Sequence, residues 1–480
     1  MPDKLTTYRG KRDPAKTPEP VPPTGPLPRG DDDTFVIQEH HARRLHWDFR
    51  LERGGVLVSW AVPKGLPLDP GRNHLAVHTE DHPLDYAEFA GEIPKGEYGG
   101  GAVTIWDRGT YETEKWSDRE VKVVLHGARV SGRYVLFQTD DKNWMMHRMD
   151  PPPDPDWRPV PELIRPMLAT PGTLPAPDQA EQWAYEMKWD GIRAVLYVEG
   201  GRVRVMTRND RDVTGTYPEL QALGEALGSR QCVLDGEIIA FDEDGRSSFA
   251  ALQPRMHLTK AAQVRRLAEQ VPVVYLAFDL LHLDGHSTLE LPYRDRRELL
   301  EVLELAGRNW QTPPYFPGTG EAALGVSRDQ GLEGIVAKRL QSRYESGRRS
   351  PSWLKVKTFR TQEVVVGGWK PGSGRRAGGV GSLLVGVNGP EGLVYAGKVG
   401  TGFTQQMLDD AGRTLRPLER KTSPFAGALP REVTRDAHWV TPRLVGEVAF
   451  TEWTRDGRLR APSWRGWRAD KDPAEVVREP

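Results

Sequence analysis

Lys188-Trp189-Asp190-Gly191-Ile192-Arg193 places an amine, a carboxylate, a flexible turn and a guanidinium within six residues. Such a lysine can attack the α-phosphorus of a nucleotide, but only as the free amine, so its pKa must fall through desolvation or nearby cations. Gly191 permits a tight turn and close approach of the nucleotide, and Arg193 offers a planar fork for phosphate. A second group lies nearer the N-terminus, where His40 precedes Leu45-His46-Trp47-Asp48-Phe49-Arg50-Leu51-Glu52. Strand side chains alternate between faces, so Leu45, Trp47, Phe49 and Leu51 turn to a core while His46, Asp48, Arg50 and Glu52 share the other face. Two imidazoles and a carboxylate can hold a divalent cation, and the arginine beside them can hold a phosphate oxygen. Nitrogen and oxygen donors without a thiolate suit manganese or zinc, and the donors leave that choice open. Glu80-Asp81-His82 and Tyr86 add polar groups to such a site, whereas His41, His78 and His126 lack comparable neighbours and read as structural or exposed.

Alone, Lys-x-Asp-Gly is a common turn. Here it is followed in order by Thr207-Arg208-Asn209, Asp235-Gly236-Glu237, Phe278-Asp279, Glu333-Gly334-Ile335-Val336-Ala337-Lys338 and Lys355-Val356-Lys357. Lys355 and Lys357 are two apart, so a strand would aim both into one pocket. From Lys338 to Arg360 eight basic residues face one acid, Glu345, a local +7 suited to DNA or ATP phosphates. The glycine-rich run Pro371 to Gly381 lacks the Gly-Lys-Ser/Thr ending of a phosphate loop and reads as a hairpin.

The elements that must position these groups follow from the rest of the 480 residues. Residues 1–33, with seven prolines from Pro14 to Pro28, read as an extended, solvated leader. Residues 34–150 hold short β-rich runs separated by Gly or Pro, the pattern of a barrel or sandwich. Residues 151–161 form a stiff proline linker. Residues 162–360 mix strands with helices, among them one through Leu299–Leu305 that stops at Gly307, and residues 361–480 return to strands that fit a small barrel. With 66 basic and 67 acidic residues the net charge is -1, so any nucleic-acid contact must use local patches. A single cysteine, Cys232, excludes an internal disulfide framework and a Cys-cluster zinc site, and reads as core. No signal peptide or membrane-spanning run is present, and a cytoplasmic protein is expected.

Two resemblances attach to these residues. Phe35–Glu52, Ser59–Gly65 and Glu80–Tyr86 resemble the 3′-phosphoesterase domain of bacterial DNA ligase D, which trims 3′-phosphates and terminal 3′-ribonucleotides with manganese. That resemblance implies His40, His46 and Asp48 as metal ligands and Arg50, His82 and Tyr86 as phosphate or catalytic contacts. It also matches Asp13 and Glu19 to acids of the family's leader, so that part of residues 1–33 folds over the site. One position departs: eight residues before His82, where an arginine would grip phosphate, stands His74. The ordered motifs from Lys188 to Lys357 resemble the covalent nucleotidyltransferases, which include ATP-dependent DNA ligases, RNA ligases and capping enzymes. By that resemblance Lys188 carries AMP, Glu186 reads the adenine, Arg193 and Arg208 contact phosphate or nucleotide, Glu237 holds the ribose and Phe278 stacks the base. Glu333 binds Mg2+ or Mn2+, and Lys355 and Lys357 neutralise the triphosphate. Trp464–Lys471 resembles the last ligase motif on an OB-fold, with Arg468 and Lys471 reaching the β- and γ-phosphates.

The implied protein is multidomain α+β: a β-barrel phosphoesterase, an α+β adenylation domain and a C-terminal OB-fold barrel. It would be a monomeric, nucleoid-associated ligase of non-homologous end joining, working with a Ku-like protein. The polymerase-primase domain of full-length ligase D is missing from these 480 residues and would come from another chain. An RNA ligase or capping enzyme, and a DNA end-bridging module with an inactive phosphoesterase, are the alternative readings.

Overall fold

The first strands are buried on both faces, and their apolar side chains form the core of a closed barrel. In the computed structural model, which describes residues 3–243, 245–318, 320–358, 360–372, 378–450, 452–454 and 456–479, strands β1 (Thr34–His41), β2 (Leu45–Arg53), β3 (Val56–Val62), β4 (His74–His78), β5 (Gly91–Ile93), β6 (Gly101–Ser117), β7 (Glu120–Gly127), β8 (Ser131–Asp140) and β9 (Asn143–Arg148) form one antiparallel sheet. Its order is β1-β2-β3-β4-β9-β8-β7-β6, and β6 pairs back onto β1 to close eight strands, with β5 added outside. Phe35, Ile37, Trp47, Phe49, Leu51 and Trp60 fill the interior. The β1–β2 register sets His40 opposite His46, Gln38 opposite Asp48 and Val36 opposite Arg50, so the polar set shares the outer face.

The leader is not a solvated tail. Helix α1 (Thr6–Gly10) buries Tyr8, and Leu5, Tyr8, Val21 and Leu27 pack with Val56, Leu57 and Tyr86 of the barrel. Prolines remove amide donors, but the leader's few apolar side chains still gain by covering the barrel's outer apolar patch. The proline linker is docked as well, with Arg158 donating its backbone N–H to Gly285 O at 2.6 Å and His286 Nε2 2.8 Å from Asp154.

Beyond it come β10 (Leu168–Pro171), β11 (Trp183–Met187), β12 (Ile192–Glu199), β13 (Arg202–Thr207), β14 (Cys232–Ile239) and β15 (Val274–Leu283). β10 and β11 join strands Gly334–Arg339 and Arg349–Lys357 in one sheet, while β13-β12-β14-β15 lead a second. Cys232 is buried in the core beneath it. The helix expected over Leu299–Leu305 instead spans Tyr293–Glu301. Its N-terminus is set by Pro292, and Leu303 and Leu305 pack into the core from the turn that follows. A third, OB-type domain forms from strands Arg360–Pro371, Val380–Gly389, Gly392–Val399, His438–Val440, Val445–Phe450 and Ser463–Trp467, with helix Gln405–Leu415. The hairpin reading of the glycine-rich run fits the pairing of Arg360–Pro371 with Val380–Gly389, and its Ser373–Ala377 lie outside the described residues. The chain is thus mixed α+β. No helix among the described residues is long and apolar enough to cross a membrane.

Candidate active sites

On the barrel, His40, His46 and Asp48 each bring one donor atom within 4.8 Å of the others. His40 Nδ1 lies 3.4 Å from Asp48 Oδ2, and His46 Nε2 lies 3.7 Å from Asp48 Oδ1. The opposite ring nitrogens sit on backbone carbonyls, His40 Nε2 2.8 Å from Gly99 O and His46 Nδ1 3.0 Å from Arg44 O. Imidazoles oriented in this way, with one nitrogen fixed by the backbone and the other turned to a carboxylate, fit a divalent cation. Burial opposes the charge of Asp48, but Arg50, then the two histidines, outweigh it and hold the carboxyl well below the usual range.

Arg50 is locked in place: Nε donates to Gln38 Oε1 at 2.7 Å, one terminal nitrogen to Ser59 Oγ at 2.9 Å and the other to Asp48 Oδ2 at 3.0 Å. His82 is buried, and desolvation, with Arg50 and Arg12 nearby, lowers its pKa well below the ordinary histidine value, so it is neutral. Tyr86 donates its hydroxyl to Glu19 Oε1 at 3.0 Å. The leader supplies a residue that sequence reasoning missed. The buried Arg12 side chain donates to Glu19 at 2.9 Å and Glu80 at 3.1 Å and comes within 3.3 Å of His82 Nε2. No spacing signal could reveal Arg12, because only the folding back of the leader brings it to a histidine 70 residues away. Asp13, matched to the same leader pattern, instead pairs with Lys16 on the surface. His74 hydrogen-bonds Gly65 O at 2.7 Å and belongs, by strand alternation, to the face that carries Ala76, His78 and Trp60 rather than to the metal face.

Between the two central sheets and the OB-type domain lies a cavity of about 620 Å³. All eleven residues singled out there line it: Glu186, Lys188, Arg193, Arg208, Glu237, Phe278, Glu333, Lys355, Lys357, Arg468 and Lys471. Lys188 stands just past the end of β11, its backbone N–H on Gly334 O at 2.9 Å. Gly191 is needed because a Cβ there would lie 2.2 Å from Ile238 O, so the close approach is to the neighbouring strand.

The expected fall of the Lys188 pKa is reversed in this structure. Burial works against the ammonium, but the Glu333 carboxylate in direct contact outweighs it and raises the pKa. Glu333 also pairs with Lys357 at 3.1 Å. Arg193 does not present a free fork either: Nε and a terminal nitrogen both bond Asp235 at 2.6 Å, while its plane lies 4.4 Å from the Phe278 ring centroid. On the same ring, Lys338 Nζ sits 4.5 Å from the centroid. Glu186, nearly fully buried, takes Lys338 Nζ at 2.7 Å and the hydroxyl of Tyr293. Burial, offset in part by Arg193, lifts Glu237 to about 7. Arg468 pairs with Asp470 at 2.9 Å and Lys471 with Glu363 at 2.6 Å. The basic run thus divides, with Lys338, Arg349, Lys355 and Lys357 lining the cavity and Arg343 turned out onto Glu290 at 2.7 Å. Glu447 and Glu479 also line the cavity and Tyr293 backs Glu186, and no motif marked these three.

Comparison with known families follows the same three-part division. Residues 38–138 match the DNA Ligase D 3′-phosphoesterase domain, 166–357 the ATP dependent DNA ligase domain and 376–471 the ATP dependent DNA ligase C terminal region. A solved structure of mycobacterial DNA ligase D complexed with ATP and MES is 44% identical, with a TM-score of 0.52 over 66% of this chain and 98% of that one. Fold and cavity therefore place the chain in the class of ATP-dependent DNA ligases. Among curated relatives, the multifunctional non-homologous end joining DNA repair protein LigD of Mycobacterium tuberculosis is 51% identical over 99% of this chain and 61% of its own length. Its counterparts in Mycolicibacterium smegmatis and Pseudomonas aeruginosa are 50% and 36% identical, each over 99% of this chain and 62% of their own length. The chain belongs to the DNA ligase D family, and it spans about three-fifths of the length of these curated relatives.

Proposed function

We propose that the chain is an ATP-dependent DNA ligase that also repairs 3′ ends, acting in non-homologous end joining. The observation that carries this reading is the convergence of eleven motif residues on one cavity around Lys188. In the proposed first step Lys188 Nζ, having lost its proton, bonds to the α-phosphorus of ATP, and the bond from that phosphorus to pyrophosphate breaks. Phosphoryl transfer rests mainly on positioning and charge neutralisation. Lys355, Lys357, Arg468 and Lys471 supply the cations for the leaving pyrophosphate, Phe278 stacks the base, Glu186 reads the adenine amino group and Glu237 takes the ribose hydroxyl. Glu333 is the carboxylate that would hold Mg2+ or Mn2+. AMP then passes from Lys188 to a DNA 5′-phosphate, a 3′-hydroxyl attacks that phosphate, and AMP leaves.

A blocked 3′ end cannot make that last attack, which is the chemical reason to join the two activities in one chain. His40, His46 and Asp48 would hold the divalent cation, manganese in this reading, which when bound polarises a phosphate oxygen. Arg50 and Arg12 would bind the phosphate, and neutral His82, with Tyr86 beside it, would move a proton at Nε2. The proposed domains are 34–150 for the phosphoesterase, 162–360 for adenylation and 361–480 for the OB-fold. The names of the relatives support DNA ends as substrate, and a Ku-like protein and a separate polymerase-primase are the proposed partners. Incubation with labelled ATP and magnesium, followed by peptide mapping, should find AMP on Lys188. Label absent, or carried on another residue, would refute the reading.

A further inference from the structure

We propose that Glu479 guards the ligase cavity: its carboxylate occupies the lysine pair on which the polyphosphate of ATP must settle, so ATP binds by displacing it. This deepens the ligase reading and rests on it. The segment Pro473–Glu479 is tied to the OB-type domain. Asn388 donates its backbone N–H to Val476 O at 2.8 Å and its side-chain amide to Pro473 O at 2.6 Å. Gln362 donates to Val477 O at 2.9 Å and accepts from the Glu479 N–H at 2.9 Å, while Val476 is buried in the domain core. These bonds deliver Glu479 to the cavity, where Lys355 Nζ lies 3.3 Å and Lys357 Nζ 3.6 Å from its carboxylate oxygens.

Lys357 has a second acid, Glu333, but among the described residues Glu479 is the only carboxylate within salt-bridge distance of Lys355. A carboxylate and a phosphate oxygen are equivalent partners for an ammonium, each an anionic acceptor of charge-assisted hydrogen bonds. Glu479 and the polyphosphate therefore compete for one pair of cations. Both anchors, Gln362 and Asn388, belong to the OB-type domain, whereas the two lysines lie on the strand Arg349–Lys357, so the carboxylate reaches them from the opposite side of the cavity.

Glu479→Gln removes the charge and keeps the size and the backbone anchors. Lysine–AMP formation in the full chain, followed against ATP concentration with magnesium, should reach half-saturation at about two- to ten-fold lower ATP, since partly exposed ion pairs are individually weak. The rate at saturation should not change, and inorganic tripolyphosphate should inhibit the variant at correspondingly lower concentration. Glu479→Asp should stay near the wild type. An unchanged or raised half-saturation in a Glu479→Gln protein that melts normally overturns the proposal. If that variant melts early, Asn388→Ala, which loosens the anchor and touches neither lysine, takes its place: a fall supports the proposal and no fall overturns it. A wild-type chain that forms no lysine–AMP would instead remove the ligase reading beneath it.

Discussion

Changing Glu186 to glutamine separates reading of the base from propping of the cavity wall. Glu186 and Lys338 are both almost wholly buried and lie 2.7 Å apart, with Tyr293 on the same carboxylate and Arg297 at 3.7 Å. Neutralising the acid leaves the Lys338 ammonium in a dry site without its counter-charge, with only neutral acceptors beside it, the new amide oxygen and Phe278 O at 3.2 Å. Loss of one partner of such a pair costs about 3–5 kcal/mol. For a domain of roughly 200 residues each kcal/mol lowers the melting temperature by about 2–4 °C, so Glu186→Gln should melt about 6–20 °C early. Adding Lys338→Met removes the stranded charge and should restore most of that loss. Thermal unfolding of both variants, followed by lysine–AMP yields with ATP and with GTP, tests both roles. The double variant should regain its melting temperature without regaining a preference for ATP. If it recovers both, Glu186 is a strut and not a reader, and if the single variant melts with the wild type, the pair carries no buried-charge penalty.

The other expectations are simpler to check. Lys188→Ala should abolish lysine–AMP formation and leave removal of a 3′-phosphate intact, while His40→Ala should do the opposite; loss of both activities in both variants would contradict two separate sites. Arg12→Ala should slow 3′-phosphate release by about 10²–10³, the usual loss for one charge-stabilising donor, with adenylylation unaffected, and normal end trimming by this variant would remove the leader from the site. Glu237 ionises at about 7, so a ribose hydroxyl finds its better acceptor above that pH. ATP affinity, measured by titration from pH 6 to 8, should therefore rise with pH in the wild type and stay flat in Glu237→Gln; parallel curves would exclude Glu237 from the ribose contact.

What the sequence made legible was what chain-local rules fix. Strand alternation alone aligns His46, Asp48 and Arg50, and a spacing of two aims Lys355 and Lys357 together, both lining the cavity. Tertiary partners lie outside such rules. Local rules lead one to expect the Lys188 amine to be freed by desolvation or nearby cations, yet Glu333, 145 residues along the chain, holds it charged. Composition described the leader by its prolines, whereas Leu5 and Tyr8 decide that it packs. The early end of the helix at Glu301 has a similar cause: the leucines that extended the apolar pattern to Leu305 are buried by the following turn, which no helical period can express.

Those distant partners also explain how a chain of net charge -1 keeps a cation-rich cavity. Nearly every cation that a nucleotide would need is held by an acid of the chain itself: Lys188 by Glu333, Arg193 by Asp235, Lys355 by Glu479, Arg468 by Asp470 and Lys471 by Glu363. Side chains held in pairs are already close to the places where phosphates must find them, which reduces the ordering lost on binding. The same pairing weakens binding, because each phosphate oxygen must compete with a carboxylate. Arg193 and Asp235 differ from the rest. Asp235 is fully buried and also accepts from Tyr344 at 2.5 Å, so that pair is built into the wall and a nucleotide has no route to displace it. Lys355 differs in another way: its partner Glu479 comes from the OB-type side, and this partly exposed pair can exchange for a phosphate at little cost. The cavity thus combines a fixed pair in its wall with exchangeable pairs whose cations, in the proposed reaction, are lent to the phosphates.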